Sequence, residues 1–424
     1  MRTLAFVLPL LADLPAWSSL NDEVPSAKEQ KALVEEYFAT DWKTSSGMQR
    51  HDEILSTLSA VPALDDRAMK TWTKALDKIW KKGPKLEKKS GRHYLWEKEK
   101  RGLYIIGGKS GKPSGLFLGM HGGGAGSGDA GSSAGAWGGS AGKEKWVAIF
   151  PQVLEKTEHG WTDSGTEEFV IELLERARRT WKLDADRTFF GGHSMGGYGT
   201  WTLGSRHADM VAALTPSAGA PTPVLDGPGG KIVDVVPGIV PNLRNVPIVI
   251  YQSDDDPRVP PEVNRTAAKR LGEAKERWGG FDYEYWEVEG RGHDLPPGGT
   301  AAHLEKVHDH VRNPYPERIV WQPTLSWKRQ FYWLWWKNPE LEAIVQADLD
   351  RDNNTIDIET KADVSGMYVL LSDAVVDMSR EVVVRVNGEE TNRAVPTRTL
   401  DALVSTARYG DPGRTYPARL AVRP

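Results

Sequence analysis

The fold of this chain is decided by residues 188–201, which read TFFGGHSMGGYGTW. Residues 188–190 form a short apolar stretch typical of a buried strand, and a helix is expected to start within the glycines that follow. Residues 192–196 match the pattern G-x-S-x-G, in which a serine occupies a sharp turn from strand to helix. A side chain in place of either glycine would crowd the neighbouring backbone, so the pattern predicts that Ser194 exposes its hydroxyl at this turn.

Strands and helices alternate along the chain on both sides of this turn. Strands are predicted at residues 93–99, 102–106, 115–120, 146–150, 188–190, 246–251 and 283–288. Between them, residues 167–181 have apolar side chains at helical spacing, and a further helix follows the serine turn. This alternation predicts a mainly parallel sheet with helices on both faces, which is the α/β class.

The N-terminal part of the chain is predicted to be helical. Ser26 is followed three residues later by Glu29, which indicates a helix start because the two side chains can cap each other's backbone. Further helices are predicted at residues 51–58 and 65–80 from the spacing of their apolar side chains. We expect this N-terminal helical region to extend over residues 1–91.

Past residue 315 the alternation of strands and helices stops. Strands are predicted at residues 342–348, 355–359, 367–372 and 381–387. Turn signals separate these strands, a pattern typical of a small all-β domain of sandwich type. We therefore expect an α/β domain over residues 92–315 and a C-terminal all-β domain over residues 316–424.

A glycine-rich stretch directly follows the strand before residue 121. Residues 121–124 read HGGG and match a loop type whose backbone N–H groups bind a developing oxyanion. We expect the N–H groups of Gly122 or Gly123, together with that of Met195, to be the donors. A phosphate-binding loop is the alternative, although no Lys-Ser or Lys-Thr pair follows. Residues 126–142 are expected to be a flexible lip over the site.

The base that would activate Ser194 is sought among the later histidines, because hydrolases with this serine turn have the chain order Ser, acid, His. His293 lies in a glycine-rich loop after a predicted strand and is the candidate. Three aspartates follow the strand at residues 246–251 and compete for the role of the acid. Asp256 fits best because Asp-x-x-Val-Pro starts the next turn and helix in the same place as in related hydrolases, which this part of the chain resembles, and Asp254 is the second candidate.

Composition limits the partners and cofactors. The net charge is −4, which gives no reason to expect nucleic acid as a partner. The chain has no cysteine, so disulfides and thiolate metal sites are excluded. His303, His308 and His310 recur at near-helical spacing, and an exposed helix is favoured over a metal cluster. We expect neither a metal nor an organic cofactor.

Two apolar features leave more than one interpretation open. Residues 4–12 resemble a short secretory signal, but Pro9 interrupts them, and an apolar arm packed on the body fits equally well. A secreted or periplasmic location is therefore as open as a cytoplasmic one. No stretch is long enough to cross a membrane. The aromatic run at residues 331–336 is a candidate for sugar binding, and packing in a core or between domains is favoured.

Residues 184–201, taken with the pieces above, resemble the esterase branch of the α/β-hydrolases. The chain looks most like polyhydroxybutyrate-depolymerase-like, feruloyl-esterase-like and phospholipase/carboxylesterase-like proteins. The resemblance covers about residues 95–315. It implies a nucleophile, an acid, a base and backbone donors, which fall on Ser194, Asp256, His293, Gly122 or Gly123, and Met195.

The resemblance implies hydrolysis of a carboxylic ester through an acyl-enzyme, with a small-molecule or polymer-linked ester as substrate. Three alternatives stay open. One is a prolyl-oligopeptidase-like peptidase, although the chain is too short to hold the propeller of those enzymes. The others are a non-catalytic polysaccharide-binding protein with a vestigial site, and acyl transfer to an alcohol. The sequence does not indicate the oligomeric state.

Overall fold

The computed structural model describes residues 24–407 and 415–423, so the signal-like residues 4–12 lie outside the described residues. The described part begins with three helices, as the sequence predicts. They are α1 (Ala27–Ala39), α2 (Ser45–Ser59) and α3 (Asp66–Lys82). The predicted capping box is confirmed, because the Ser26 and Glu29 side chains each bond the other residue's backbone N–H.

The largest sheet has eight strands, and a short hairpin is inserted before its last two strands. The strands of the sheet are β1 (Gly91–Trp96), β2 (Arg101–Gly108), β3 (Gly115–Met120), β4 (Trp146–Pro151), β5 (Thr188–His193), β6 (Ala213–Ser217), β9 (Ile248–Ser253) and β10 (Tyr283–Val288). The hairpin consists of β7 (Pro223–Leu225) and β8 (Ile232–Val235).

The spatial order of the eight strands is β1-β2-β4-β3-β5-β6-β9-β10. Within this sheet only β2 runs antiparallel to its neighbours. The predicted mainly parallel sheet is therefore confirmed. Every residue of β3, β4 and β9 is buried, because helices cover both faces of the sheet.

Helices pack on the two faces of this sheet. They are α4 (Ala130–Lys143), α5 (Thr166–Trp181), α6 (Met195–Arg206), α7 (Pro261–Trp278) and α8 (Gly299–Glu305), with 3₁₀ turns at Ala208–Met210 and Pro241–Asn245. Helices α5, α6 and α7 share one core with Leu116 and Leu118 of β3, whereas α4 packs in a second core with Phe117. The alternation along β3 follows from the two-residue period of a strand. The predicted α/β class is confirmed.

The expected flexible lip at residues 126–142 is mostly helix α4, so that prediction was wrong. Asp129 caps the helix by accepting the Ser132 N–H at 2.8 Å. Trp137 is buried and stacks on Phe117 with ring centroids 5.3 Å apart. The buried positions are Ala130, Ser133, Trp137 and Ala141. Because they recur at helical spacing, tertiary burial outweighs the low helix propensity of the glycines.

The expectation that His303 lies on an exposed helix was also wrong. Its side chain is fully buried, and its Nε2–H donates to the carbonyl oxygen of Val249 at 2.8 Å. Helix α8 ends at Glu305, so His308 and His310 lie beyond it and are half-buried. Among the residues that the structure describes, no group of three His, Asp or Glu side chains is arranged to hold a metal ion.

The C-terminal part contains two further sheets, as a sandwich would require. One has the order β11 (Arg318–Trp321), β14 (Val345–Asp350), β15 (Thr355–Thr360), β17 (Val382–Val386) and β18 (Glu389–Ala394). The other has the order β12 (Gln330–Phe331), β13 (Leu334–Trp336), β16 (Met367–Leu371) and β19 (Ala418–Ala421). Residues 331–336 are all buried, which confirms the packing interpretation of the aromatic run.

This part is not all-β, because it also contains helix α9 (Leu400–Ala407). The apolar side chains of α9 are buried in one cluster with those of α1, α2 and α3. The separate sheets support the predicted C-terminal β domain in part, and α9 is an element that the sequence analysis did not predict. Burial of one apolar face against the N-terminal helices stabilises α9.

Candidate active site

Ser194 lies between β5 and α6 with backbone angles φ 61° and ψ −124°. Such a conformation is strained for a residue with a side chain, and strain of this kind concentrates at functional sites. The turn is possible because glycines flank it. A Cβ atom at Gly196 would lie 2.2 Å from the Met120 carbonyl oxygen, and one at Gly192 would lie 2.4 Å from the Gly196 carbonyl oxygen.

This strand–turn–helix junction is the nucleophile elbow that the sequence pattern predicts, and it stands at the centre of the eight-stranded sheet. The chain has the α/β-hydrolase fold. In sheets of parallel strands, ligands bind outside the carboxyl ends of the strands. The elbow follows the carboxyl end of β5, so this edge of the α/β-hydrolase sheet is the candidate site.

The structure brings Ser194, His293 and Asp256 together at this edge. The Nε2 atom of His293 lies 2.9 Å from the Ser194 hydroxyl oxygen, and its Nδ1 atom lies 2.8 Å from Asp256 Oδ2. The three residues follow different strands, β5, β9 and β10. A carboxylate beside Nδ1 requires that nitrogen to donate, which leaves Nε2 free to accept the serine proton.

The carboxylate of Asp256 is buried and held in place by several donors. Its Oδ1 accepts the backbone N–H groups of Arg258 at 2.8 Å and Val259 at 3.0 Å. The buried side chain of Gln252 donates to Oδ2 at 3.3 Å. Asp254, the second candidate for the acid, instead accepts the Gly290 N–H at 2.9 Å. Of the two candidates, only Asp256 contacts the His293 ring.

The glycine loop after β3 lies directly against the elbow. A Cβ atom at Gly122 would lie 2.8 Å from the His193 carbonyl oxygen and 3.2 Å from Ser194 Cβ, so the backbone of the loop passes beside the serine. Gly123 has φ +136°, a conformation that favours glycine. Met195 is the first residue of α6, and the N–H groups at a helix start point outward without intrahelical partners.

The imidazole of His121 supports this loop, a role that the sequence did not reveal. Its Nδ1–H donates to the Gly122 carbonyl oxygen at 2.8 Å, and its Nε2 accepts the Val153 N–H at 3.2 Å. Burial lowers the pKa of His121, which keeps the ring neutral and able to make both bonds. Trp161 donates its indole N–H to the His121 carbonyl oxygen at 3.2 Å. The backbone of Val153 and the side chain of Trp161 thus hold the loop from two other segments.

His193 precedes the serine and lies beside His293, with ring centroids 4.9 Å apart. Burial, aided by the charge of His293, lowers the pKa of His193 to about 4. His193 is therefore neutral at pH 7 and adds no positive charge next to His293. Its Nδ1 atom lies 3.3 Å from the Ser217 hydroxyl. The sequence pattern leaves this position unspecified, so this neighbour was not predicted.

Neither a protein-family model nor a curated protein matches the sequence. Solved structures similar to the chain include a thermostable esterase (21% identity, 50% of this chain and 60% of that one, TM-score 0.38). Another is the poly(3-hydroxybutyrate) depolymerase LpqC from Bordetella parapertussis (20% identity, 49% of this chain and 85% of that one, TM-score 0.35). A third is a ferulic acid esterase from Anaeromyces mucronatus (16% identity, 52% of this chain and 89% of that one, TM-score 0.36).

The match to the thermostable esterase spans less than two thirds of that protein's length. No helix in the described part of the chain is both long and apolar enough to cross a membrane.

Proposed function

We propose that the protein hydrolyses carboxylic esters through an acyl-enzyme formed on Ser194. One observation carries the proposal: hydrogen bonds of 2.9 and 2.8 Å join the Ser194 hydroxyl, the His293 imidazole and the buried Asp256 carboxylate in a continuous series. A serine hydroxyl is a weak nucleophile by itself, and a base within hydrogen-bond distance activates it. The substrate class is a small-molecule or polymer-linked ester.

In the first step the Ser194 oxygen attacks the ester carbonyl carbon while its proton passes to Nε2 of His293. The Asp256 carboxylate orients the ring and stabilises the imidazolium that forms. The imidazolium then protonates the leaving alkoxide, and the acyl group remains on the serine. In the second step Nε2 takes a proton from water, the resulting hydroxide attacks the acyl carbon, and the carboxylic acid leaves as the serine is reprotonated.

Each attack places a negative charge on the former carbonyl oxygen. We assign the N–H group of Met195 and those of Gly122 or Gly123 as the donors to this oxyanion. The closeness of the Gly122 backbone to Ser194 Cβ supports this assignment, because a substrate bonded to the serine would lie within reach of the loop. Donors held in place before the reaction stabilise the transition state by about 3 kcal/mol each.

The test combines a fluorophosphonate probe with hydrolysis of p-nitrophenyl acetate and butyrate, for the parent protein and for Ser194→Ala. We expect labelling and turnover in the parent, no labelling in the variant, and a fall in kcat of at least about 10⁴-fold. Ser379→Ala is the matched control, because that serine is exposed and its hydroxyl bonds only the nearby Asp377.

Absence of labelling and turnover in a folded parent protein would contradict the proposal and leave a polysaccharide-binding protein, which binding to insoluble glycans would then check. Faster cleavage of a matched p-nitroanilide than of the ester would indicate a peptidase. A product ester formed in the presence of an added alcohol would indicate acyl transfer. Each of these results replaces ester hydrolysis by a different function of the same chain.

A further inference from the structure

The two loops that carry Asp256 and His293 are joined residue by residue. The first segment, residues 253–256, starts at the last residue of β9, and the second, residues 290–293, follows β10. We call the two segments together the acid–histidine clasp. Its four hydrogen bonds are Ser253 Oγ to the Arg291 N–H (2.9 Å), Asp254 Oδ1 to the Gly290 N–H (2.9 Å), Asp255 Oδ1 to the Gly292 N–H (2.7 Å) and Asp256 Oδ2 to His293 Nδ1 (2.8 Å). Four consecutive side chains thus form hydrogen bonds to four consecutive residues of the other segment.

The clasp continues the pairing of β9 with β10 beyond the ends of the two strands. The strands pair in parallel up to Ser253 and Val288, and the Asp254 N–H donates to the Val288 carbonyl oxygen at 3.1 Å. After that point side chains replace the backbone as acceptors. The backbone of Gly290 has φ +68° and that of Gly292 has φ +59°. Glycine adopts these angles without strain. In this conformation the N–H groups of the two glycines donate to the carboxylates.

The segment that carries His293 is an irregular loop. No helix or strand contains residues 289–298, and α8 begins only at Gly299. Such a segment is free to move unless side chains anchor its backbone. A base displaced by about 1 Å from its nucleophile costs roughly 100-fold in rate. The position of His293 therefore depends on the bonds of the clasp.

The two aspartates beside Asp256 are suited to this task by their charge. Asp255 is exposed, and the bonds from the Ser253 hydroxyl and the Gly292 N–H lower the pKa of its carboxyl group. The group is therefore ionised at neutral pH. Hydrogen bonds to an ionised acceptor are roughly twice as strong as neutral ones. Asp254 is half-buried and accepts the Gly290 N–H in the same way.

We propose that Asp254 and Asp255 are positioning residues, whose carboxylates hold the backbone of residues 290–292 so that the His293 imidazole stays in line with Ser194. The inference rests on the proposed function, because it assigns these residues to the same site. Neither carboxylate is assigned a contact with substrate or reacting atoms. The three adjacent aspartates thus have two roles. Asp256 orients the imidazole ring, and Asp254 and Asp255 hold the loop that carries it.

The test measures kcat and KM for p-nitrophenyl butyrate in Asp255→Ala, Asp255→Asn and the double variant Asp254→Ala/Asp255→Ala. We expect kcat to fall about 10-fold in Asp255→Ala and about 100-fold in the double variant, with KM changed by less than about twofold. Asp255→Asn should recover part of the kcat, because its amide oxygen still accepts the Gly292 N–H, although the bond is weaker without the charge.

Asp363→Ala is the matched control. Asp363 is also exposed, and it accepts a serine hydroxyl at 2.6 Å and a backbone N–H at 2.9 Å, both from Ser365 in the C-terminal part. This variant should match Asp255→Ala in melting temperature and keep the parent kcat. Parent kcat in the double variant would overturn the proposal. So would an Asp255→Asn variant that is folded and as slow as Asp255→Ala.

A second measurement does not depend on turnover. The proton shared by His293 Nδ1 and Asp256 is followed by NMR, with His293→Ala to assign it. In Asp255→Ala this proton should exchange with solvent several-fold faster than in the parent and in Asp363→Ala. An unchanged exchange rate would overturn the positioning role. A parent protein that shows this proton but no turnover would contradict ester hydrolysis, so the two failures are distinguishable.

Discussion

Two segments of the chain contain five glycines each, and the structure uses them in opposite ways. One is the elbow segment, residues 191–199, and the other is helix α4, Ala130–Lys143. In the elbow segment, a Cβ atom added at any of the glycines would lie within 3 Å of another atom. In α4, a Cβ atom at Gly135 or Gly139 would meet nothing within 4 Å. The same residue type is thus indispensable in one segment and replaceable in the other.

The difference arises from what lies opposite each glycine. Three of the elbow glycines, Gly192, Gly196 and Gly197, pack against backbone atoms, which cannot move aside for a methyl group, and the other two face buried side chains. The exposed glycines of α4 face solvent, while Trp137 on the opposite side anchors the helix in the core. Glycine content alone therefore predicts neither a loop nor a tight turn.

The largest expected effect is that of Gly196→Ala in the elbow segment. The new methyl group would lie 2.2 Å from the Met120 carbonyl oxygen and 3.0 Å from that of His121, both backbone atoms. We expect the free energy of unfolding to fall by about 4 kcal/mol or more, or the protein to be insoluble. Urea unfolding measures this. A soluble variant with the parent's stability and fluorophosphonate labelling would show that this elbow glycine can be replaced, which contradicts the comparison.

The second prediction concerns the packing under α4, where the His303 ring lies 6.0 Å from that of Trp137. Burial, aided by the nearby Lys306 charge, lowers the pKa of His303 from 6.5 to about 4. Between these pH values the unfolded chain binds the proton and the folded chain does not. Stability is therefore fully present above pH 6.5 and decreases as the pH falls to about 4.

For His303 alone the decrease is on the order of 3 kcal/mol. The check is the pH dependence of the free energy of unfolding for the parent and for His303→Leu. Protonation of His193 also lowers the stability as the pH falls, since the pKa of His193 is lowered to about 4 as well. The variant should therefore keep part of the pH dependence. Equal slopes for parent and variant would show that His303 takes up its proton as easily folded as unfolded.

The smallest expected effect is a gain in stability from Gly135→Ala combined with Gly139→Ala. Both positions are exposed in the interior of α4, and alanine favours the helix over glycine there. We expect the free energy of unfolding to rise by about 1–2 kcal/mol for the pair. Gly204→Ala in α6 is the control, because its methyl group would lie 2.5 Å from Leu214 Cδ2 and should destabilise. If Gly204→Ala were more stable than the parent, or the double variant less stable, the glycines of the two segments would not differ as we infer.

Much of the α/β domain was predictable because its signals are local. The bounds of β3 and β10 match the prediction, since each is a strand bounded by turn residues such as glycine. Strand β6 was missed, because Ala213–Ser217 is short and includes a proline. The candidate residues Ser194, Asp256 and His293 came from a motif and from chain order. Their distances, and the supporting contacts of His121, could not be predicted because the partners are far apart in sequence.

The sequence by itself determined the periodic elements, the elbow and the order of the candidate site residues, because these depend on neighbours a few positions apart. Only the tertiary structure decided that residues 130–143 form a helix, that α9 joins the N-terminal helices, and that His303 is buried. It also decided that Asp254 and Asp255 grip the His293 loop. Each of these outcomes depends on burial or hydrogen bonding between distant segments, which no local pattern records.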